Sequence, residues 1–322
     1  MRTTKEAQPV EGPEGGGVGI SCRRLSKTFG DIHAVRDLTF EVPMGAVTGF
    51  VGANGAGKTT TMRMLLGLIE PTSGTALIGG RRLRDYPNPR RIVGVTLDTP
   101  GAHPGHTARA HLGILAAASG IPLERIDEVL ELVELQHAAG RRTGNFSLGM
   151  KQRLSLAAAL LGDPRILMLD EPTKGLDPPG MMWLRDFLRK LADEGRCVFL
   201  SSHHLAELDA IADAVVVLQR GRLVAQGQLK DLLNQRARTV VTRSPREDEL
   251  AAAIREAGGR VTVLPDGGLR VDGLDEAQVG DIAAAAGLAV HHLAEEQVEL
   301  EDVFLELTGS ATETAVVEEA MQ

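Results

Sequence analysis

Val47-Thr48-Gly49-Phe50-Val51-Gly52-Ala53-Asn54-Gly55-Ala56-Gly57-Lys58-Thr59-Thr60 starts as an apolar, strand-forming run, turns through a glycine-rich stretch and continues into helix-competent residues as far as Leu68. Within it, Gly52 to Thr59 has the spacing G-x-x-x-x-G-K-T, a phosphate-binding loop in the strand–loop–helix setting that such a loop requires. Glycines 52, 55 and 57 let the backbone turn tightly. They also bring successive N–H groups onto phosphate oxygens without Cβ interference, while the following helix presents its positive end. Lys58 is expected to reach the β- and γ-phosphates and Thr59 to offer its hydroxyl to a magnesium ion, with Asn54 and Thr60 in the same binding set.

A second stretch complements the first. Ile166-Leu167-Met168-Leu169 is an apolar strand ending in Asp170-Glu171, and a buried strand that ends in carboxylates needs a reason for them. Asp170 suits the magnesium shell through a water, and Glu171 suits polarising the water that attacks a phosphoryl group. Around these two stretches, residues 92–97, 196–202 and 214–219 also read as strands and alternate with helical patterns, which predicts an α/β core with a parallel sheet. Apolar spacing over 107–119, 124–136 and 149–162 predicts helices, grouped as a helical subdomain over about residues 100–163.

Composition narrows the function classes. The 322 residues suffice for one large domain and a smaller one, with an ordinary 43% hydrophobic content. A formal net charge of −8 and 3% aromatic residues argue against a nucleic-acid partner, which would need a basic face and stacking side chains. No apolar run approaches the roughly eighteen residues of a membrane span, and residues 1–17 lack the apolar stretch of a secretory signal. Residues 1–17 and 310–322 read instead as flexible tails. Cys22 and Cys197 fall in strand-like positions without metal-ligand spacing and are expected to be buried, reduced thiols.

Between the two chemical stretches lies Asn145-Phe146-Ser147-Leu148-Gly149-Met150-Lys151-Gln152-Arg153. It resembles the signature motif that distinguishes ABC ATPases from other P-loop proteins, and the motif order resembles that family throughout residues 19–235. The resemblance implies a P-loop cassette with a β-rich N-terminal lobe, ATP and Mg2+ as ligands, and further site residues. Phe29 stands where the family stacks an aromatic ring on adenine, Asp177 matches the D-loop, and His203 matches the switch histidine that contacts the γ-phosphate. Ser147 and Gly149 open a helix whose amides, in the family, face the nucleotide held by a second ATPase subunit. Two composite sites in a head-to-tail homodimer or heterodimer are therefore expected, together with a separately encoded membrane-spanning permease at whose cytoplasmic face the chain would work. Leu148 and Met150 depart from the family's usual glycine and glutamine, Lys174 is unusual in the D-loop, and Asp98 stands where the family has a metal-contacting glutamine.

After residue 236 the pattern restarts: strand 238–243, helix 247–257, strands 259–264 and 268–272, helix 275–286, strand 288–293 and helix 299–307. This βαββαβ order predicts a small α+β, ferredoxin-like domain over 237–309, beyond a cassette spanning 18–236. It resembles the accessory domain of drug, bacitracin and daunorubicin-type exporter ATPases, which implies export of hydrophobic compounds. The alternatives are a soluble ABC ATPase of DNA or translation processes and a cassette that only senses nucleotide. The first usually carries a coiled-coil insertion, zinc cysteines or a second cassette, and intact Lys58, Asp170, Glu171 and His203 oppose the second.

Overall fold

A computed structural model describes residues 17–97, 101–203, 208–234, 239–265 and 267–295. The expected tails (apart from residue 17), Asp98 and the helix expected at 299–307 lie outside the described residues. The chain divides into two compact units, the first running to Leu229 and the second beginning at Lys230.

In the first unit, β1 (Val18–Phe29) and β2 (Ile32–Pro43) form an antiparallel pair, and β4 (Ser73–Ile78) joins the other edge of β1. This is the β-rich lobe. The strands anticipated for the parallel core are β3 (Val47–Val51), β5 (Val93–Thr96), β6 (Ile166–Asp170), β7 (Cys197–Ser202) and β8 (Ala214–Gln219). Every residue of β3, β6 and β7 is buried. They are near-continuous apolar runs because a parallel sheet is covered on both faces. The sheet order is β5-β6-β7-β3-β8-β9, and the edge strand β9 (Arg222–Gln228) runs antiparallel to β8. The five strands read from the sequence are parallel neighbours, and β9, not among them, adds an antiparallel edge. The reversal follows from the short Arg220-Gly221 turn, with φ of 48° and 81°, which returns the chain directly instead of through a crossover helix.

Phe40 of the three-stranded sheet meets Phe50 and Phe199 of the six-stranded one, with ring centroids 5.0–5.9 Å apart. These rings join the two sheets across one core, each pair adding on the order of 1 kcal/mol beyond its buried area. Cys22 and Cys197 are both 0% exposed in the same core. Burial pushes the Cys197 thiol up to about 12 and that of Cys22 higher still. Because the thiolate is the reactive species, the native protein is expected to show no reaction with a thiol-disulfide reagent at neutral pH and two reactive thiols after unfolding. A titratable thiol in the native state would contradict this packing.

The helical segment consists of α2 (Ala108–Ser119), α3 (Arg125–Leu132) and α4 (Leu148–Leu160), preceded in the chain by α1 (Lys58–Leu65) and followed by α5 (Pro178–Asp193). The helix α3 is shorter than its apolar spacing suggests. Glu134 enters the left-handed region at φ 59°, and the Leu135 N–H bonds back to the Leu130 carbonyl, a helix-closing turn that stops propagation. Among the described residues no helix is long and apolar enough to cross a membrane.

The helix α6 (Leu229–Asn234) carries the chain across the division, and the second unit continues with β10 (Thr239–Arg243), α7 (Glu247–Glu256), β11 (Arg260–Val263), β12 (Leu269–Asp272), α8 (Glu276–Ala285) and β13 (His292–Glu295). Its sheet order is β11-β12-β10-β13, antiparallel throughout, the ferredoxin-like arrangement. The last strand begins four residues later than expected. Gly287 closes α8 at φ 64°, and Leu288 is drawn into the core instead of the sheet.

Candidate nucleotide site

Strand order assembles the site. Because β7 lies between β6 and β3, Phe50, Ser201 and Asp170 stand side by side in register. The phosphate loop, Asp170-Glu171 and His203 therefore emerge at the same carboxyl edge of the sheet, where α/β proteins bind ligands.

The loop is shaped by close backbone approaches. Gly57 has φ 106°, and a Cβ there would sit 2.6 Å from the Ala34 carbonyl oxygen, so only glycine fits. A Cβ on Gly52 would lie 2.6 Å from the Leu218 carbonyl oxygen. The first turn of α1 has no side-chain cap and no acidic residue, which leaves its N–H groups for an anion. Lys58 is 7% exposed and donates from Nζ to the carbonyls of Gly52 and, at 3.3 Å, Ala53. Burial pulls its pKa below the ordinary lysine value, opposed by the nearby charges of Glu171 and Asp170.

Thr59 Oγ1 donates to Asp170 Oδ2 at 3.3 Å. Two hard oxygens so placed beside a phosphate loop are the donor chemistry magnesium prefers. Asp170 is 5% exposed, and its Oδ1 accepts from the Ser201 hydroxyl. The Glu171 N–H in turn donates to Ser201 Oγ at 3.1 Å. Glu171 holds φ 49°, a conformation that only surrounding structure sustains in a non-glycine residue. Its carboxylate accepts from His203 Nδ1 at 2.8 and 2.6 Å. An ionised carboxylate can only accept, so the contact pairs it with an Nδ1–H, carried by one neutral tautomer and by the imidazolium alike.

These groups line a cleft of about 400 Å³. Asn54, Gly55, Gly57, Lys58, Thr59 and Thr60 line it together with Asp170, Glu171 and His203, and Gly52 does not. Lys174 and Ala34 also line it and were not anticipated there. Phe29 does not line it: the ring is 45% exposed at the end of β1, with Lys27 Nζ 5.0 Å from its centroid. Asp98 lies outside the described residues.

Ser147, Gly149 and Asp177 are brought together elsewhere, around a second cleft of about 270 Å³. Ser147 caps α4 by accepting from the Met150 N–H at 3.2 Å, and Asp177 caps α5 by accepting from the Gly180 N–H at 3.0 Å. Trp183 lines the same cleft, with the Arg153 guanidinium 3.9 Å above its ring. Within one chain, therefore, the signature residues and the phosphate loop do not share a cleft.

Ser201 is the residue the motif reading missed. Its only sequence signal is its place in Ser201-Ser202-His203, and its partners follow from strand order. Ser201→Ala removes a donor to Asp170 and an acceptor for Glu171. It is expected to raise the magnesium requirement of nucleotide turnover about tenfold or more, as loss of an outer-shell partner does. An unchanged midpoint in a magnesium titration would contradict this role.

Residues 35–174 match the family described as ABC transporter, and residues 238–301 match a domain of unknown function, DUF8746. The chain is 38% identical over 303 residues to the bacitracin transport ATP-binding protein BcrA of Bacillus licheniformis, covering 91% of this chain and 98% of that protein. It is 34% identical to the Nod factor export ATP-binding protein I of Rhizobium sp. (strain N33), covering 92% and 99%. A solved ATP-binding subunit of an ABC transporter superposes with a TM-score of 0.62 at 32% identity, covering 67% of this chain and 92% of that one. With its phosphate loop, paired carboxylates and signature helix on that fold, this chain belongs to the ABC transporter family as an ATP-binding subunit.

Proposed function

We propose that the chain is the ATP-hydrolysing engine of an exporter for antibiotics or other hydrophobic compounds. The observation that carries this reading is the convergence of Lys58, Thr59, Asp170, Glu171 and His203 on one cleft. Lys58 and the loop amides hold the β- and γ-phosphates. Thr59 and Asp170 would hold Mg2+, which would supply charge neutralisation at the phosphoryl group. Glu171 positions and deprotonates the attacking water, and His203 orients Glu171. Phe29, an exposed aromatic ring, offers a face for adenine. By the family resemblance Asp98 would supply a further metal oxygen; Asp98→Asn is then expected to shift the magnesium midpoint of turnover to higher concentration, and superimposable curves would leave that residue without a metal role.

The separation of the two clefts supports a head-to-tail pair of ATPase subunits, in which Ser147, Gly149 and Asp177 of one complete the phosphate cleft of the other. A helix N-terminus is a ready anion site, so a nucleotide held between two subunits would meet one from each. Export, and a separately encoded permease at the cytoplasmic membrane face, draw support from the relatives named for bacitracin transport and Nod factor export.

The test is reconstitution of the chain with the membrane protein of the neighbouring reading frame in inside-out vesicles. ATP-dependent uptake of bacitracin or a hydrophobic dye is expected, abolished by Glu171→Gln. Turnover indifferent to the membrane protein but stimulated by nucleic acid would favour a soluble machine instead.

A further inference from the structure

The unusual leucine of the signature has a counterpart in the loop that precedes α5. Gly175 lies in the left-handed region at φ 72°, and a Cβ there would fall within the van der Waals shell of Leu148 Cδ2 and 3.2 Å from its Cγ. Conversely, a Cβ on Gly149 would stand 3.7 Å from Leu176 Cδ2. Leu148-Gly149 and Gly175-Leu176 therefore interlock, each leucine resting over the other pair's glycine. Gln152, about one turn along α4, adds a donation from Nε2 to the Lys174 carbonyl at 3.4 Å. The loop is tied at one end to Glu171, whose carbonyl accepts from the Lys174 N–H at 3.2 Å, and at the other to α5 through Asp177.

We propose that Leu148 is a positioning residue: seated on Gly175, it holds loop 174–177 against the start of α4, so that both move as one body and displacement at the second cleft reaches Glu171 through Lys174. This rests on the reading of the first cleft as the site of hydrolysis. Leu148 is 48% exposed, so about half of its side chain is available to cover the loop backbone. Dispersion contacts of this kind are short-ranged and are lost with a shift of an ångström or less. An alanine at 175 acts in two ways. It strains a backbone with positive φ by about 1–2 kcal/mol whatever its neighbours, and it displaces Leu148. Trimming Leu148 removes only the second effect, which makes the pair separable.

The experiment is a double-mutant cycle in the full chain with Leu148→Ala, Gly175→Ala and both together, reading ATP turnover, nucleotide affinity and melting temperature. Leu148→Ala is expected to lower turnover about threefold and Gly175→Ala about tenfold, while nucleotide affinity stays within about twofold. The double variant, which keeps the strain but loses the clash, is expected to recover toward the level of Leu148→Ala; wild-type turnover in Leu148→Ala would remove its positioning role. Wild-type turnover in Gly175→Ala, or a double variant as slow as Gly175→Ala, would overturn the interlock and leave backbone strain as the cause. If the wild-type chain showed no turnover, the reading of the first cleft would fail, and the interlock would still be judged by the four melting temperatures. Non-additive shifts support it, and additive shifts overturn it.

Discussion

Glu171→Gln is expected to cut ATP turnover by about two orders of magnitude or more, since general-base and water-positioning roles are commonly that large. Nucleotide binding should survive, because the phosphate loop, Lys58 and the Thr59–Asp170 contact are untouched. Glutamine preserves the shape of the side chain, and its carbonyl oxygen still accepts from His203 Nδ1, so the local backbone at φ 49° keeps its support. What disappears is basicity. The substitution therefore separates geometry from chemistry, and the bound triphosphate should accumulate with the protein. Two measurements decide: steady-state phosphate release and equilibrium binding of MgATP. Turnover close to wild type would remove Glu171 from the reaction. Loss of binding together with turnover would mean that the carboxylate serves the phosphate site and not the water.

The parts of this site legible in the sequence are those in which neighbouring residues carry the chemistry. Gly52 to Thr59 announces a phosphate loop because the turn, the amides and the lysine all belong to one short segment. Asp170-Glu171 is legible because the apolar strand it ends belongs to a chain that also carries a phosphate loop; alone it would read equally well as a solvated strand end. Ser201 was not legible, since its hydrogen bonds to Asp170 and Glu171 exist only because β7 is inserted between β6 and β3, two strands far apart in the chain. Strand order is a property of long-range pairing, which local pattern does not encode. Leu148 over Gly175 was hidden for a related reason, since the contact joins a helix start to a loop well separated from it in the chain. Phe29 is legible only through its motif position; the ring stands exposed beside Lys27, apart from the residues that line the cleft. The antiparallel return of β9 and the early stop of α3 rest on left-handed residues that are not glycine, Arg220 and Glu134, which composition alone gives little reason to expect.

Lys58→Met is expected to move function and stability in different directions. Removing the ammonium takes away the cation proposed to meet the phosphates while Asp170 and Glu171 remain. The loss should be about 2–4 kcal/mol, or roughly thirty- to several-hundred-fold in MgATP affinity. Stability should hold or rise. Burial lowers the pKa of Lys58 from the ordinary value of 10.5 even though two carboxylates oppose the shift. The folded protein therefore disfavours the charged lysine relative to the unfolded chain, and an apolar side chain of similar length escapes that penalty. For a depressed lysine, the unfolded chain binds more protons between the folded and unfolded pKa values. The penalty is thus fully present below the folded pKa and vanishes as pH rises past about 10.5. The stability advantage of Lys58→Met should accordingly be greatest at neutral pH and fade in strong alkali. Melting curves at neutral and alkaline pH, paired with MgATP titrations, test both halves. A large fall in melting temperature at neutral pH would show that Lys58 supports the fold through its contacts with Gly52 and Ala53, whereas unchanged MgATP affinity would show that it does not bind the phosphates.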